Sequence, residues 1–74
     1  MKDLQLMLAV LGENVRNRRR TAGWTQSELG RRANLHRTYI ADVERGARNI
    51  SIQNILSLAR ALRVSVSELC KGLC

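Results

Sequence analysis

Residues 36–54 of this 74-residue chain include three arginines, one threonine, two asparagines and one glutamine. These side chains are hydrogen-bond donors, and an arginine guanidinium can donate two parallel bonds to a phosphate or to a planar pair of acceptors. The sequence has no glycine-rich phosphate loop, no cluster of paired carboxylates and no nucleophile beside a base. The pattern is typical of a recognition surface, and we do not expect an enzyme.

A short helix is predicted just before this region. Thr25 followed by Glu28 has the spacing of a capping box, in which the hydroxyl accepts a bond from the Glu28 backbone N–H and the carboxylate accepts one from the Thr25 N–H. A helix is therefore predicted over residues 26–33. Asn34 tolerates the left-handed dihedral angles that the following turn needs.

A second short helix is predicted over residues 37–45. Ile40 and Val43 lie three residues apart and point to one side, and Gly46 ends the helix. The opposite side carries Arg37, Thr38, Ala41 and Asp42. Two helices joined by a turn of three or four residues, the second with a polar outward side, indicate a helix-turn-helix that reads duplex DNA.

Three further helices are predicted, over residues 3–22, 52–62 and 66–72. The first is predicted to be amphipathic, because Leu4, Leu8, Leu11 and Val15 recur at helical spacing. The fourth follows a Ser51 cap, and its predicted buried side carries Ile52, Ile55, Leu56, Ala59 and Leu62. Ser65 and Glu68 form a second capping-box pattern at the start of the fifth.

Charge and composition favour a nucleic-acid partner. The chain has 13 Lys and Arg against 6 Asp and Glu, a formal net charge of +7, and such an excess attracts a polyanion. Trp24 and Tyr39 are its only aromatic residues, too few for a single-strand binder that stacks bases. The apolar run at the start is too broken for a signal peptide and too short to span a membrane. We expect one cytoplasmic domain over residues 1–74.

Over residues 11–69 the sequence resembles the Xre-type, lambda-repressor-like helix-turn-helix domains. The family pattern is met by Gly23, Thr25, Gln26, Leu29, Glu44 and Gly46. A likeness to the controller proteins of restriction-modification systems rests on Arg37, Thr38, Tyr39, Ile40, Glu44, Arg45, Arg48 and Asn49. The resemblance implies an all-α fold, a compact five-helix lambda-repressor-like DNA-binding domain with the helix-turn-helix at helices 2 and 3.

DNA contacts are expected from the second motif helix and from the loop that follows it. Arg37 can donate two bonds to O6 and N7 of a guanine. The predicted base-contacting residues are Arg37, Thr38, Tyr39, Ala41 and Asp42. The predicted phosphate-contacting residues, some taken from matching family positions, are Gln26, His36, Arg45, Arg48, Asn49, Gln53 and Asn54. The resemblance also implies a structural ion pair between Arg19 and Glu44.

An excess of apolar residues near the end of the chain predicts a homodimer interface. Its predicted members are Leu62, Val64, Val66, Leu69 and Leu73, with the leucine-rich start of the first helix as the alternative. Two recognition helices related by a two-fold axis read half-sites about 10 bp apart in a palindromic operator. The resemblance implies control of the chain's own promoter and of restriction-modification genes, with two dimers on one operator and contact with RNA polymerase as further expectations.

Two other functions fit the same fold. One is an antitoxin-like module that mainly holds another protein, and the other is a phage-type Xre repressor. The lack of a further domain or a disordered tail favours the operator-binding regulator. Cys70, Cys74 and the single histidine, His36, cannot supply the four ligands of a zinc site. Reduced thiols, no metal and no cofactor are therefore expected.

Overall fold

A computed structural model describes residues 2–73, and Cys74 lies outside the described residues. Its five helices confirm the predicted all-α fold. They are α1 (Lys2–Thr21), α2 (Gln26–Ala33), α3 (Arg37–Glu44), α4 (Ile52–Leu62) and α5 (Val66–Leu69). Within residues 2–73, none of these helices is long and apolar enough to cross a membrane.

The fifth helix is shorter than predicted, ending at Leu69 and not at residue 72. The Asn14 side chain on α1 explains the early end. Its Nδ2 donates to the backbone oxygen of Leu69 at 2.9 Å and to that of Lys71 at 2.8 Å. Carbonyls at a helix end need partners, and Asn14 supplies them from another helix.

Serine and threonine caps begin three of the helices, as predicted. The hydroxyls of Thr25, Ser51 and Ser65 each accept a bond from the backbone N–H three residues on. The capping box is complete only at Ser65, whose N–H donates to Glu68 at 2.9 Å. The reciprocal bond predicted for Glu28 is replaced, since its carboxylate accepts bonds from Arg31 and Arg32 one turn on.

The core lies where the five helices meet. Its buried apolar residues are Leu11, Val15, Leu29, Ala33, Ile40, Val43, Leu58, Ala59 and Leu69. Leu69 is 0% exposed, so the prediction that it lies in a dimer interface is wrong. Its side chain is already enclosed by its own subunit.

The buried side of α4 is rotated from the predicted one. Leu58 is 0% exposed, whereas Ile52 is 73% exposed and Leu56 is 41% exposed. The five predicted residues together with Leu58 and Ala61 make seven apolar residues in an 11-residue helix, and these cover more of its circumference than the core can enclose. The surplus residues are therefore left at the surface.

Helices α1 and α3 approach each other closely at Gly12. A Cβ atom on Gly12 would lie 2.4 Å from the backbone oxygen of Val43 and 2.7 Å from that of Glu44. Gly46 follows α3 and has φ +70°. It lies against the backbone of Ala9, which is on α1. The end of α3 therefore rests directly on the backbone of α1.

We expect Gly12→Ala to destabilise the fold. Alanine favours a helix over glycine by about 1 kcal/mol, but the backbone clash should reverse the sign and lower the free energy of unfolding by roughly 1 to 3 kcal/mol. Urea unfolding followed by circular dichroism measures this, with Ser27→Ala on the exposed side of α2 as the control. A more stable Gly12→Ala variant would show that α1 and α3 separate at little cost.

Candidate nucleic-acid interface

The turn between α2 and α3 is short and closed by backbone bonds. Asn34 has the predicted left-handed conformation at φ 59°, and the Leu35 N–H donates to Gly30 at 2.8 Å. His36 caps α3, because its Nδ1 accepts a bond from the Thr38 N–H at 3.0 Å. These bonds fix where the second helix begins.

The outward side of α3 carries most of the predicted base-reading residues. Ile40 and Val43 are buried on the opposite side. Arg37 and Thr38 are exposed, and Ala41 and Asp42 are half-buried. We use the term reading face for Arg37, Thr38, Ala41 and Asp42, which lie together at helical spacing.

Glu44, at the end of α3, is a buried carboxylate with 0% side-chain exposure. Arg19 of α1 donates to it through Nε at 2.6 Å and through Nη2 at 3.0 Å. Gln26 of α2 donates through Nε2 at 3.1 Å, and the Nε of Arg16 lies 3.6 Å away. One carboxylate thus joins three helices, and the structure contains the Arg19–Glu44 pair that the resemblance implies.

This network changes the pKa of both members of the ion pair. Burial alone would raise the pKa of Glu44, but the bonds from Arg19 and Gln26 outweigh it and hold that pKa below 4.5. The bond to Glu44 raises the pKa of Arg19. Both groups stay ionised at neutral pH, as a bidentate arginine–carboxylate pair requires.

The predicted phosphate contact Gln26 takes part in this network, with its amide directed at Glu44. Gln26 is half-buried at the first residue of α2. One amide hydrogen is used by Glu44, which leaves the second for an external acceptor. Any phosphate bound there would therefore touch a side chain held by the same carboxylate that positions α3.

Asp42 on the reading face accepts bonds from two arginines. One is Arg45, three residues later, and the other is Arg48, whose Nη2 lies 3.0 Å from Oδ2 of Asp42. The bond from Arg45, followed by that from Arg48, lowers the pKa of Asp42. Arg45 and Arg48, both predicted to contact phosphates, are therefore bonded to Asp42, which is predicted to contact a base.

Arg48 also lies over the ring of Tyr39, with its guanidinium carbon 4.8 Å from the ring centre. The Tyr39 hydroxyl accepts a bond from Nδ2 of Asn54 at 2.9 Å, which ties α3 to the start of α4. Tyr39 is half-buried, with its ring beneath Arg48 and its hydroxyl bonded to α4. Its contacts suit it better to supporting Arg48 than to touching a base.

The remaining predicted contacts, Asn49 and Gln53, are exposed. The bond between Tyr39 and Asn54 and the closeness of Arg16 to Glu44 were not predicted, because neither contact has a local signal in the sequence. Within residues 2–73 no group of three or more His, Cys, Asp or Glu side chains is placed to hold a metal.

We expect Glu44→Gln to reduce stability in a pH-dependent way. The lowered pKa of Glu44 in the folded chain means that the carboxylate contributes stability above its ordinary pKa of 4.5, and that this contribution is lost as pH falls through the folded-state value. The variant should therefore lose roughly 3 kcal/mol at pH 7, because Arg19 keeps a partly buried charge without its partner.

The difference in unfolding free energy between the wild type and Glu44→Gln, measured in urea from pH 7 to pH 3, should shrink as the pH falls. Taking this difference removes the contributions of Glu28, Asp42 and Glu68, whose pKa values are also lowered. Glu13→Gln, at an exposed position of α1, is the charge-matched control. A gap that stays constant with pH would contradict the assignment.

Comparisons with known proteins agree with this geometry. The helix-turn-helix family matches residues 15–69. The chain is 43% identical over 60 residues to the control protein C.SmaI of Serratia marcescens, an alignment covering 81% of this chain and 71% of that protein. It is 44% identical over 69 residues to a hypothetical transcription factor of Neisseria meningitidis serogroup B, covering 93% of this chain but only 65% of that relative's length.

A crystal structure of the restriction-modification controller protein C.AhdI from Aeromonas hydrophila superposes with a TM-score of 0.82 at 42% identity. That match covers 84% of this chain and 94% of C.AhdI. Sequence and structure therefore agree along most of the chain. The chain belongs to the Xre-type branch of the helix-turn-helix family, among relatives that include the restriction-modification controller proteins.

Proposed function

We propose that this chain is a sequence-specific transcriptional regulator that binds a palindromic DNA operator as a homodimer. The observation that carries the proposal is the reading face of α3. Arg37 and Thr38 are exposed there, while Glu44 fastens the same helix to α1 and α2 through Arg19 and Gln26. A recognition helix held by its own scaffold can enter the major groove without rearranging.

Charge supports duplex DNA as the partner. The chain has a formal net charge of +7, and Arg37, Arg45 and Arg48 are exposed around the reading face. Contacts to phosphates give affinity that does not depend on sequence, whereas contacts to base edges give specificity. Arg37, on the reading face, suits contact with a base edge. Arg48, in the loop after α3, suits contact with a phosphate.

The names of two relatives support a proposal about the regulated genes. C.SmaI and C.AhdI are named as control or controller proteins, the latter of restriction-modification. We propose that this chain controls its own promoter and restriction-modification genes from the cytoplasm, with two dimers on one operator and contact with RNA polymerase. Neighbouring methyltransferase and endonuclease genes would support this role, whereas a neighbouring toxin gene would support an antitoxin-like one.

Base reading and phosphate contact can be separated by two substitutions. Arg37→Ala should lose roughly 1 to 3 kcal/mol of binding free energy on the operator and little on random duplex DNA, because it removes a bidentate contact to a base. Arg48→Ala should weaken binding to the operator and reduce the slope of log operator affinity against log salt by about one, because it removes a phosphate contact.

Fluorescence anisotropy titrations at several salt concentrations make this measurement. The operator is first obtained by selecting duplexes from a random-sequence library with the wild-type protein. Arg60→Ala serves as the control, since it removes an exposed arginine from the last turn of α4. Equal losses of Arg37→Ala on operator and random DNA would show that Arg37 contacts only phosphate.

The homodimer is assigned to the exposed apolar residues of α4 and α5, two helices that pack against each other. Ile52, Leu56 and Val66 are 73%, 41% and 37% exposed. Of these three, only Val66 was a predicted interface residue. The predicted residues Leu62, Val64 and Leu73 are partly buried against the core and would form the edge of the interface. Burying such residues against a second copy removes apolar area from water.

Leu56→Glu and Val66→Glu should convert the dimer to a monomer that keeps its helices. In a symmetric interface each residue lies near its mate, so one introduced charge acts twice. Sedimentation equilibrium measures the mass, and circular dichroism checks the fold. Leu6→Glu on α1, where Leu6 is 65% exposed, is the matched control. If only Leu6→Glu gives a monomer, the interface lies at the start of the first helix.

A further inference from the structure

Asp42 is an acidic side chain on the reading face of a chain proposed to bind a polyanion. It lies one helical turn after Thr38, and its carboxylate bonds to both Arg45 and Arg48. The Asp42 side chain is only 19% exposed, compared with 64% for Arg45 and 46% for Arg48. The two guanidinium groups therefore cover the carboxylate.

We propose that Asp42 sets DNA specificity by holding Arg45 and Arg48 away from phosphates unless a base amino group takes their place at its carboxylate. This inference rests on the proposed function, since it assumes that α3 enters the major groove. It deepens that function by naming the residue that discriminates against wrong sites.

The competition follows from the geometry of the cluster. An arginine that moves to a phosphate gives up its bond to Asp42, and the carboxylate then faces the negative DNA backbone without its partners. An ionised group left without a hydrogen bond is costly. A site that presents an amino group to Asp42 restores the bond, and a site that presents only acceptors adds repulsion.

The chemistry of the major groove limits which bases can satisfy Asp42. An ionised carboxylate can only accept hydrogen bonds. In the major groove the donors are the N4 amino group of cytosine and the N6 amino group of adenine. Every base pair carries one of these amino groups, on one strand or the other. A cytosine or adenine is therefore expected at one position of each half-site on the strand that faces Asp42.

Glu28 provides a matched control within the same chain. Its carboxylate also bonds to two arginines, Arg31 and Arg32, one turn on. Glu28 lies in the first turn of α2, outside the reading face. Asp42→Asn and Glu28→Gln each remove one carboxylate that two arginines contact, and each raises the net charge by one.

The experiment compares wild type, Asp42→Asn and Glu28→Gln on two probes. One is the duplex that wild type enriches from a random-sequence library, and the other is the unselected duplex pool. Asp42→Asn should bind the unselected pool about tenfold more tightly than wild type, since it frees two arginines from surface ion pairs. The ratio of selected to unselected affinity should fall by at least as much, and a library selected with Asp42→Asn should lose the cytosine or adenine preference.

A second background separates arginine release from a change in net charge. In the Arg45→Gln, Arg48→Gln double variant, Asp42→Asn should strengthen binding to the unselected pool no more than Glu28→Gln does in the wild-type background. In the same double-variant background, Asp42→Ser should likewise strengthen binding to the unselected pool no more than Glu28→Gln does in the wild-type background, and its side chain is smaller than that of Asn. Thermal melting of every variant checks that the helices are intact.

Three outcomes overturn the inference. The first is an equal gain from Asp42→Asn and Glu28→Gln on the unselected pool, which net charge alone explains. The second is an unchanged ratio of selected to unselected affinity for Asp42→Asn. The third is failure of the wild type to enrich any duplex, which is seen before a variant is made and rejects the proposed function as well.

Discussion

The orientation of α3 depends on one buried carboxylate. Glu44 is enclosed by protein, so its charge must be matched by donors from the chain itself. Those donors come from Arg19 on α1 and Gln26 on α2. Any rotation of α3 that moved Glu44 away from them would leave charges buried without partners. The direction of the reading face is thus set by electrostatics at the inner side of the same helix.

Elements marked by local signals were predicted well. The helices α2, α3 and α4 begin at the predicted residues because a threonine, a histidine and a serine cap them. Asn34 adopts the left-handed conformation expected of it. Each of these features depends on side chains within four residues of the backbone they bond, so a single sequence contains the required information. The all-α fold follows from these helices and their apolar residues.

Apart from the Arg19–Glu44 pair, which the family resemblance implied, the features that depend on contacts distant in sequence were not predicted. The end of α5 is set by Asn14, 55 positions before Leu69, and the bond from Gln26 to Glu44 spans 18 positions. The surface position of Ile52 depends on which side of α4 the other helices cover. The missing capping-box bond of Glu28 has a local cause, because the nearby Arg31 and Arg32 compete with the Thr25 N–H for its carboxylate. Periodicity alone cannot settle such competitions.

The two aromatic side chains have a spectroscopic consequence. Trp24 and Tyr39 are the only tryptophan and tyrosine in the chain. Arg32 lies over the first ring at 4.2 Å, and Arg48 lies over the second at 4.8 Å. Each aromatic band in the near-ultraviolet circular dichroism spectrum therefore reports a single ring with one guanidinium above it. Movement of the loop that carries Arg48 would alter the tyrosine band and leave the tryptophan band as an internal standard, with no label attached.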